Sequence, residues 1–302
     1  MDKILVTGGL GQVGAHIYKY LKNDYEFVLL DNLSNAKIAP PNDCLFIKGD
    51  ILDASIYSSL PEVDFIIHTA AQISVKKSTK EPLFDAKTNI EGTLNLLEFA
   101  RKRDIKKFVY LSSAATFGVP KFLPITEEHP REPLSPYGLS KLVGERYTML
   151  YHSLYNLPTT SLVLFNLYSK LQKIDDPYSG VISKFIHRIH LNSSPIIEGD
   201  GIQTRDFIHV QDVVSAIELV LKNDKSNGES YNIGTGKQTS ILELANLLLK
   251  IAKKDLPINY TEPRTGDIKH SYCSISKAQK ELNFNPKIRL EEGLTELYYN
   301  IV

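Results

Sequence analysis

A glycine-rich run, Thr7-Gly8-Gly9-Leu10-Gly11-Gln12-Val13-Gly14, stands between a short apolar stretch at residues 4–6 and an amphipathic one at residues 12–22. Gly8, Gly11 and Gly14 give the spacing G-x-x-G-x-x-G. Glycines so placed permit a tight turn, let backbone N–H groups approach a pyrophosphate, and let helix and strand pack closely. Such a turn is a weak signal alone and a much stronger one between a strand and a helix. Further apolar runs follow at residues 27–30, 45–47, 64–68, 108–111 and 161–165. They are rich in Val, Ile, Leu and Phe and mostly lack polar alternation, the pattern of strands buried on both faces. Helix-like segments at 12–22, 88–102 and 136–155 separate them. This order predicts an α/β protein built on a Rossmann-type, doubly wound parallel sheet.

Beyond residue 168 the pattern changes. A charged, irregular stretch at 170–177 precedes a helix at 182–191 and a strand at 195–198. A turn, Gly199-Asp200-Gly201, and a strand at 206–210 come next. Later segments read as a helix at 213–222, a strand at 230–233 and an amphipathic helix at 241–253 with Leu244, Leu247, Leu248 and Ile251 on one face. The segments 274–282 and 290–301 are again helical. The expected organisation is a nucleotide-binding Rossmann domain over residues 1–167 and a smaller mixed α/β substrate domain over 168–302, with segments interlaced.

Charge narrows the partners. Among 302 residues, 35 Lys and Arg balance 35 Asp and Glu. Neutrality removes the simplest argument for bulk binding to nucleic acid or an anionic membrane. No apolar run reaches the ~18 residues of a membrane span. Met1-Asp2-Lys3-Ile4 enters a strand directly, without the features of a signal peptide. Cys44 and Cys273 read as buried free thiols, so a cytoplasmic protein is expected. On that reading Asn192-Ser193-Ser194 and Asn259-Tyr260-Thr261 match the glycosylation pattern by chance. His187 and His190, three apart with no acidic or cysteine partner nearby in sequence, suit a solvated helix face better than a metal site. No metal is expected.

Asp31 ends the second apolar run, about 20 residues after the glycines, where an acid can accept from both ribose hydroxyls. A carboxylate there repels a 2′-phosphate and favours NAD over NADP; the plainer alternative is a turn cap. Tyr137 and Lys141 are four apart near a helix start and so share one face. A phenol with pKa ~10 is a poor base near neutrality, and a neighbouring ammonium favours its phenolate. Ser112-Ser113 ends the preceding strand, where a hydroxyl can bridge Tyr137 and a substrate oxygen or merely cap the strand.

These motifs, with His68-Thr69-Ala70-Ala71-Gln72, Asn89-Ile90-Glu91-Gly92-Thr93, Tyr231–Gly236 and Arg264-Thr265-Gly266-Asp267, occur in an order that resembles the extended short-chain dehydrogenase/reductases. The resemblance is to their NAD-dependent nucleotide-sugar epimerase/dehydratase branch, most of all to the UDP-hexose 4-epimerases, and covers nearly the whole chain. It implies a catalytic set of Ser113, Tyr137 and Lys141. It implies NAD contacts from Gly8, Gly11, Gln12, Val13 and Gly14, from Asp31, Asn32 and Asn35, and from Asp50 and Ile51 at the adenine. Further cofactor contacts would come from Ala70, Ala71, Gln72, Asn89, Ser112, Tyr137, Lys141 and Phe165. For the UDP-sugar it implies Ser113, Tyr137, Asn166, Val181, Arg205, Arg264, Asp267 and, at a wall that sets sugar size, Ser271. It also implies a homodimer formed through the helices at 88–102 and 136–155. The implied activity is interconversion of UDP-glucose and UDP-galactose, and of their N-acetylated counterparts, by transient oxidation at C4. The alternatives are another epimerase, dehydratase or decarboxylase of the same family, or a non-catalytic dinucleotide-binding sensor. The chain departs from the family's frequent residues at Val163, Ser169 and Phe117.

Overall fold

Apolar residues at consecutive strand positions need cover on both faces, and the chain supplies it. The computed structural model describes residues 1–172, 180–263 and 266–300. The elements begin β1 (Lys3–Thr7), α1 (Gln12–Leu21), β2 (Glu26–Asp31), β3 (Leu45–Lys48), α2 (Ile56–Ser59) and β4 (Phe65–His68). Then come α3 (Val75–Lys80), α4 (Pro82–Ala86), α5 (Gly92–Arg101), β5 (Lys107–Ser113), α6 (Pro136–Tyr155) and β6 (Thr159–Leu164). The second half adds β7 (Asn166–Tyr168), α7 (Val181–His190), β8 (Ile196–Glu198), β9 (Thr204–Arg205), β10 (Phe207–His209) and α8 (Val210–Leu221). It ends with β11 (Glu229–Ile233), β12 (Thr239–Ser240), α9 (Ile241–Ala252), β13 (Asn259–Thr261), β14 (His270–Ser271), α10 (Ser276–Leu282) and α11 (Leu290–Asn300).

Seven strands form one sheet in the order β3-β2-β1-β4-β5-β6-β11. All six pairings are parallel. The Rossmann-type doubly wound sheet is therefore present. The chain winds outward one way from β1 and the other way from β4, so the switch point lies between them. Ligand crevices form there, at the carboxyl ends of the strands. The last strand comes from the second half of the chain, with Tyr231 beside Leu162 in register.

Side chains alternate between the two faces. Ile4, Val6, Ile67, Val109 and Tyr231 pack under α1, α8 and α10. Leu5, Ile66, Phe108 and Tyr110 pack under α5 and α6. A separate core joins α7, α9 and α11 through Phe185, Ile189, Leu244, Leu248 and Leu297.

Local chemistry sets the ends of the main helices. Ser135 accepts from the Gly138 amide at 3.1 Å and Pro136 opens α6, whose span matches the expected 136–155. The expected helix at 88–102 differs: Lys87–Glu91 forms a π-helical turn before α5 starts. Helix α8 begins three residues earlier than expected, at Val210, because the His209 side chain caps it and ends β10. Both cysteines are free; Cys273 is buried, but Cys44 is only half-buried, next to the exposed start of β3.

Helix α6 lies close on β5 because Gly144 faces Tyr110, where an added Cβ would overlap the tyrosine hydroxyl. The same hydroxyl donates to the Lys141 carbonyl at 3.3 Å. Gly144→Val should therefore push α6 off the sheet and lower stability by about 1–3 kcal/mol, the usual cost of overpacking a core. Urea unfolding of the variant beside the parent measures this.

Candidate active site

The turn after β1 shows why glycine is required. Gly8 has φ +66°, and a Cβ there would lie 2.8 Å from the Ala70 backbone beyond β4. A Cβ on Gly14 would run into the Gly8 carbonyl. Gly11 stands at the N-cap of α1, with Gln12 and Val13 in its first turn. Buried Gln12 Nε2 has no acceptor among the described residues. This cradle of backbone amides at a helix start suits a pyrophosphate.

Asp31 ends β2, and its carboxylate accepts from the Leu10 amide at 3.0 Å and the Leu33 amide at 2.8 Å. It is thus a turn cap that also ties the glycine loop to β2, and each oxygen keeps capacity for a hydroxyl. Asn32 donates to Asp50 at 2.8 Å, and Ile51 beside it is buried. Asn35 is exposed and bound to Lys37. The backbone of half-buried Ala70 and Ala71 follows β4. Gln72 and Asn89 are both buried and bonded to each other, the Asn89 amide being fully engaged by Gln72, Asp85 and Ser140. Phe165, just after β6, is buried against Phe117 and Val163.

Ser113, Tyr137 and Lys141 come together at the carboxyl end of β5. Ser113 accepts from the Ala115 amide at 3.2 Å, capping the 3-10 turn Ala114–Thr116. Burial pushes the Tyr137 phenol above its ordinary value, its hydrogen bond with Ser113 draws it down, and Asp85 adds to the rise. Lys141 is 5% exposed, and its ammonium lies 4.3 Å from the centre of the Tyr110 ring. Burial lowers its pKa to about 7 against the pull of Glu145 and Asp85. Near neutrality this ammonium can lose its proton, so the pair is poised for proton transfer.

Sequence reasoning missed the residues that hold this group. Glu145, two turns after Tyr137, pairs with Arg131 at 3.2 Å, the side chains being 5% and 7% exposed. It also accepts from Ser112 at 2.5 Å and from Ser230 of β11 at 3.1 Å. The Ser112 hydroxyl is thereby turned to Glu145. Arg131 donates to Thr116 at 2.6 Å, and Thr116 donates to the Ser113 carbonyl at 2.9 Å. Removing one partner of such a buried pair costs about 3–5 kcal/mol. The signal was the spacing of Glu145 from Lys141, one turn on along the same helical face.

The second half contributes Arg205, which donates to Asp267 at 2.7 Å and to its neighbouring Thr204 carbonyl at 2.8 Å. Arg205 does not pair with Asp206, its neighbour in sequence. Asp206 is fully buried and accepts instead from Thr235 and Gly236. Ser271, 9% exposed, is in register with Arg205. Asn166 is exposed at the start of β7, and Val181 opens α7. Arg264 lies outside the described residues, as does most of the 170–177 stretch. A cavity of about 680 Å³ lined by Glu198, Gln203, Tyr260, Asp267 and Lys269 adjoins the Arg205–Asp267 pair. A larger concavity of about 950 Å³, among Lys3, Glu26, Asp64 and Glu98, sits at the amino edge of the sheet, away from the Tyr–Lys pair. Of the two, the smaller adjoins residues expected to hold the substrate, Arg205 and Asp267.

The family model described as GDP-mannose 4,6 dehydratase matches residues 5–297. A UDP-glucose 4-epimerase of Mycolicibacterium smegmatis is 34% identical over 97% of this chain and 96% of its own length. A Methanocaldococcus jannaschii protein provisionally named for the same activity is 44% identical over 96% of this chain and 95% of its own. Among solved structures, the UDP-N-acetylglucosamine 4-epimerase from Methanobrevibacter ruminantium, in complex with UDP-N-acetylmuramic acid, superposes with a TM-score of 0.94. It is 35% identical and covers 99% of this chain and 97% of that one. The Thermus thermophilus UDP-glucose 4-epimerase complex with NAD has a TM-score of 0.88 at 31% identity, over 99% and 98% of the two chains. With a family match along almost its whole length and a Ser–Tyr–Lys group at the carboxyl edge of a Rossmann-type sheet, this chain belongs to the nucleotide-sugar epimerase/dehydratase family of extended short-chain dehydrogenase/reductases.

Proposed function

We propose that the protein is an NAD-dependent UDP-hexose 4-epimerase of the cytoplasm. The observation that carries this reading is Tyr137 and Lys141 on one face of α6, beside Ser113 at the carboxyl end of β5. The cradle fits NAD: Gly8 and Gly14 leave no room for side chains, and Gln12 Nε2 is a donor unanswered among the described residues. The Asp31 carboxylate repels a 2′-phosphate. Bound NAD would accept the C4 hydride and return it. Tyr137 takes the C4 hydroxyl proton and gives it back, Lys141 favours the phenolate, and Ser113 orients the reacting oxygen. Arg205, with Arg264, grips the diphosphate through guanidinium forks. Because hydride and proton both return, no second substrate is needed.

The family description raises dehydration as the second reading. That reaction needs a further acid or base, yet Ser113 is followed by Ala114 and Ala115 in the 3-10 turn. Incubation with UDP-glucose and UDP-N-acetylglucosamine should give C4 epimers alone. A 4-keto-6-deoxy product would replace this reading with dehydration, and bound NAD without turnover of any nucleotide-sugar would favour a sensor. Tyr137→Phe should keep NAD, seen by mass spectrometry of the native protein, while turnover falls by about 10²–10⁴-fold.

Sugar size is read at Ser271, whose small side chain leaves room for a 2-acetamido group. Ser271→Tyr should sharply reduce turnover of the N-acetylated pair while sparing UDP-glucose and UDP-galactose. Equal losses on both pairs would remove residue 271 from the pocket wall.

A homodimer through α5 and α6 suits the exposed apolar residues on α6. Leu150, Leu154 and Tyr155 are 45%, 61% and 48% exposed. Tyr151 of the same helix is instead buried and donates to Glu98 of α5, holding the two helices side by side. Light scattering at micromolar concentration should return twice the chain mass; a monomer would reject the pairing.

A further inference from the structure

Asp85 lies in α4 and is 1% exposed. Its Oδ1 accepts from Gln72 Nε2 at 2.7 Å and from Asn89 Nδ2 at 3.3 Å. Its Oδ2 has no hydrogen-bond partner among the described residues. The same Asn89 amide donates to Ser140 Oγ at 3.0 Å, and Ser140 donates to the Tyr137 carbonyl at 3.0 Å. Three hydrogen bonds thus lead from a buried carboxylate to the first turn of α6. A carboxylate left half-satisfied in the interior is costly unless a charge answers it.

The groups that face Lys141 identify that charge. On α6 itself these are Tyr137 and Glu145. From β5, Tyr110 lies under the ammonium, and burial keeps its phenol protonated. From β4, His68 is buried between Thr7 and Thr93, and burial first, then Lys141, pulls its pKa to about 3, so it is neutral. From the loop before α6 comes Arg131, which is paired with Glu145. Glu145 is thereby answered by its own cation. Glu145 and then Asp85 hold the Lys141 ammonium against burial, and of these two acids Asp85 has no cation of its own among the described residues.

We propose that Asp85 is the positioning residue that keeps the buried Lys141 ammonium charged beside Tyr137, acting across the α4–α6 contact without touching substrate. The proposal rests on the reading of Tyr137 as the base. Burial alone drives Lys141 toward the neutral amine, which could not favour a phenolate. An anion held rigidly by Gln72 and Asn89 opposes that loss. The same anion disfavours the Tyr137 phenolate, so it sets the proton affinity of both groups in one direction. Without it both would lose their protons at lower pH.

Asp85→Asn tests this with little change of shape. Its carboxamide oxygen can still accept from Gln72 and Asn89, while the new NH₂ takes the position of the unpartnered oxygen. Tyr137 is titrated by phenolate absorbance near 295 nm, as the difference between each protein and its Tyr137→Phe counterpart. The midpoint should fall by about one pH unit in Asp85→Asn, the scale of a nearby charge. Both limbs of the kcat/KM profile should move acid by a similar amount. A lost structural contact would lower activity or melting temperature and leave the midpoints in place; that result overturns the proposal. If Asp85→Asn does not fold, Asp85→Ser, also neutral, is read the same way. The absorbance titration needs no substrate, so it reports on Asp85 even if UDP-sugars are not turned over.

Discussion

Arg131 and Glu145 form an ion pair closed off from water at the junction of four pieces of chain. Glu145 belongs to α6, Arg131 to the loop before it, and the hydroxyls that complete the glutamate come from β5 and β11. Buried pairs add little net stability, because desolvation offsets attraction, but each charge forbids any arrangement that leaves its partner behind. The consequence here is geometric. Ser112 next to Ser113, and Thr116 bonded to the Ser113 carbonyl, are both fixed to the helix that carries Tyr137 and Lys141. The guanidinium also lies 3.9 Å from the Phe117 ring centre, so the turn after Ser113 is held from a second side. The Ser–Tyr–Lys spacing depends on this junction more than on any bond among its own members.

What the sequence made legible was what depends on short-range pattern. The glycine turn, the all-apolar runs and the Tyr-x-x-x-Lys spacing each follow from one residue's neighbours along the chain. So do the bounds of α6, fixed by Ser135 and Pro136. The π-helical turn at Lys87–Glu91 was not legible, since its residues suit an ordinary helix. It coincides with Asn89, whose amide is bonded to Gln72, Asp85 and Ser140, contacts made only in the folded protein. For the same reason the sequence did not single out Glu145, whose partner Arg131 lies fourteen residues earlier. Along the sequence the acid beside Arg205 is Asp206, and only the folded chain brings Asp267 to it and turns Asp206 inward.

The placement of β11 shows how a late segment completes an early one. Its backbone closes the β6 edge, and Ser230 on it reaches Glu145. Just past β11, Thr235 and Gly236 donate to Asp206, which also accepts from the Cys273 amide at 3.4 Å. Arg205, one residue before Asp206, therefore projects from a backbone tied to the central sheet. The loop carrying Asp267 and the short strand carrying Ser271 meet the same anchor through β9. The substrate side of the site is built on the cofactor side, although the residues are far apart in sequence.

The interior houses its carboxylates in three ways, and the contrast separates structure from chemistry. Asp31 and Asp206 are met by backbone amides, which neutralise charge through fixed dipoles and tie loops to strands. Glu145 is met by a cation and two hydroxyls. Asp85 has amide donors on one oxygen and, among the described residues, nothing on the other. The first two arrangements have partners that fix them in place, although Glu145 still acts on Lys141. In a low-dielectric interior an incomplete one acts on the nearest mobile proton. Around α6 the buried charges then sum to zero, two anions against the cations Arg131 and Lys141, but only the Arg131–Glu145 half is in contact. The half held apart contains the lysine, whose proton stays adjustable because no carboxylate has closed on it.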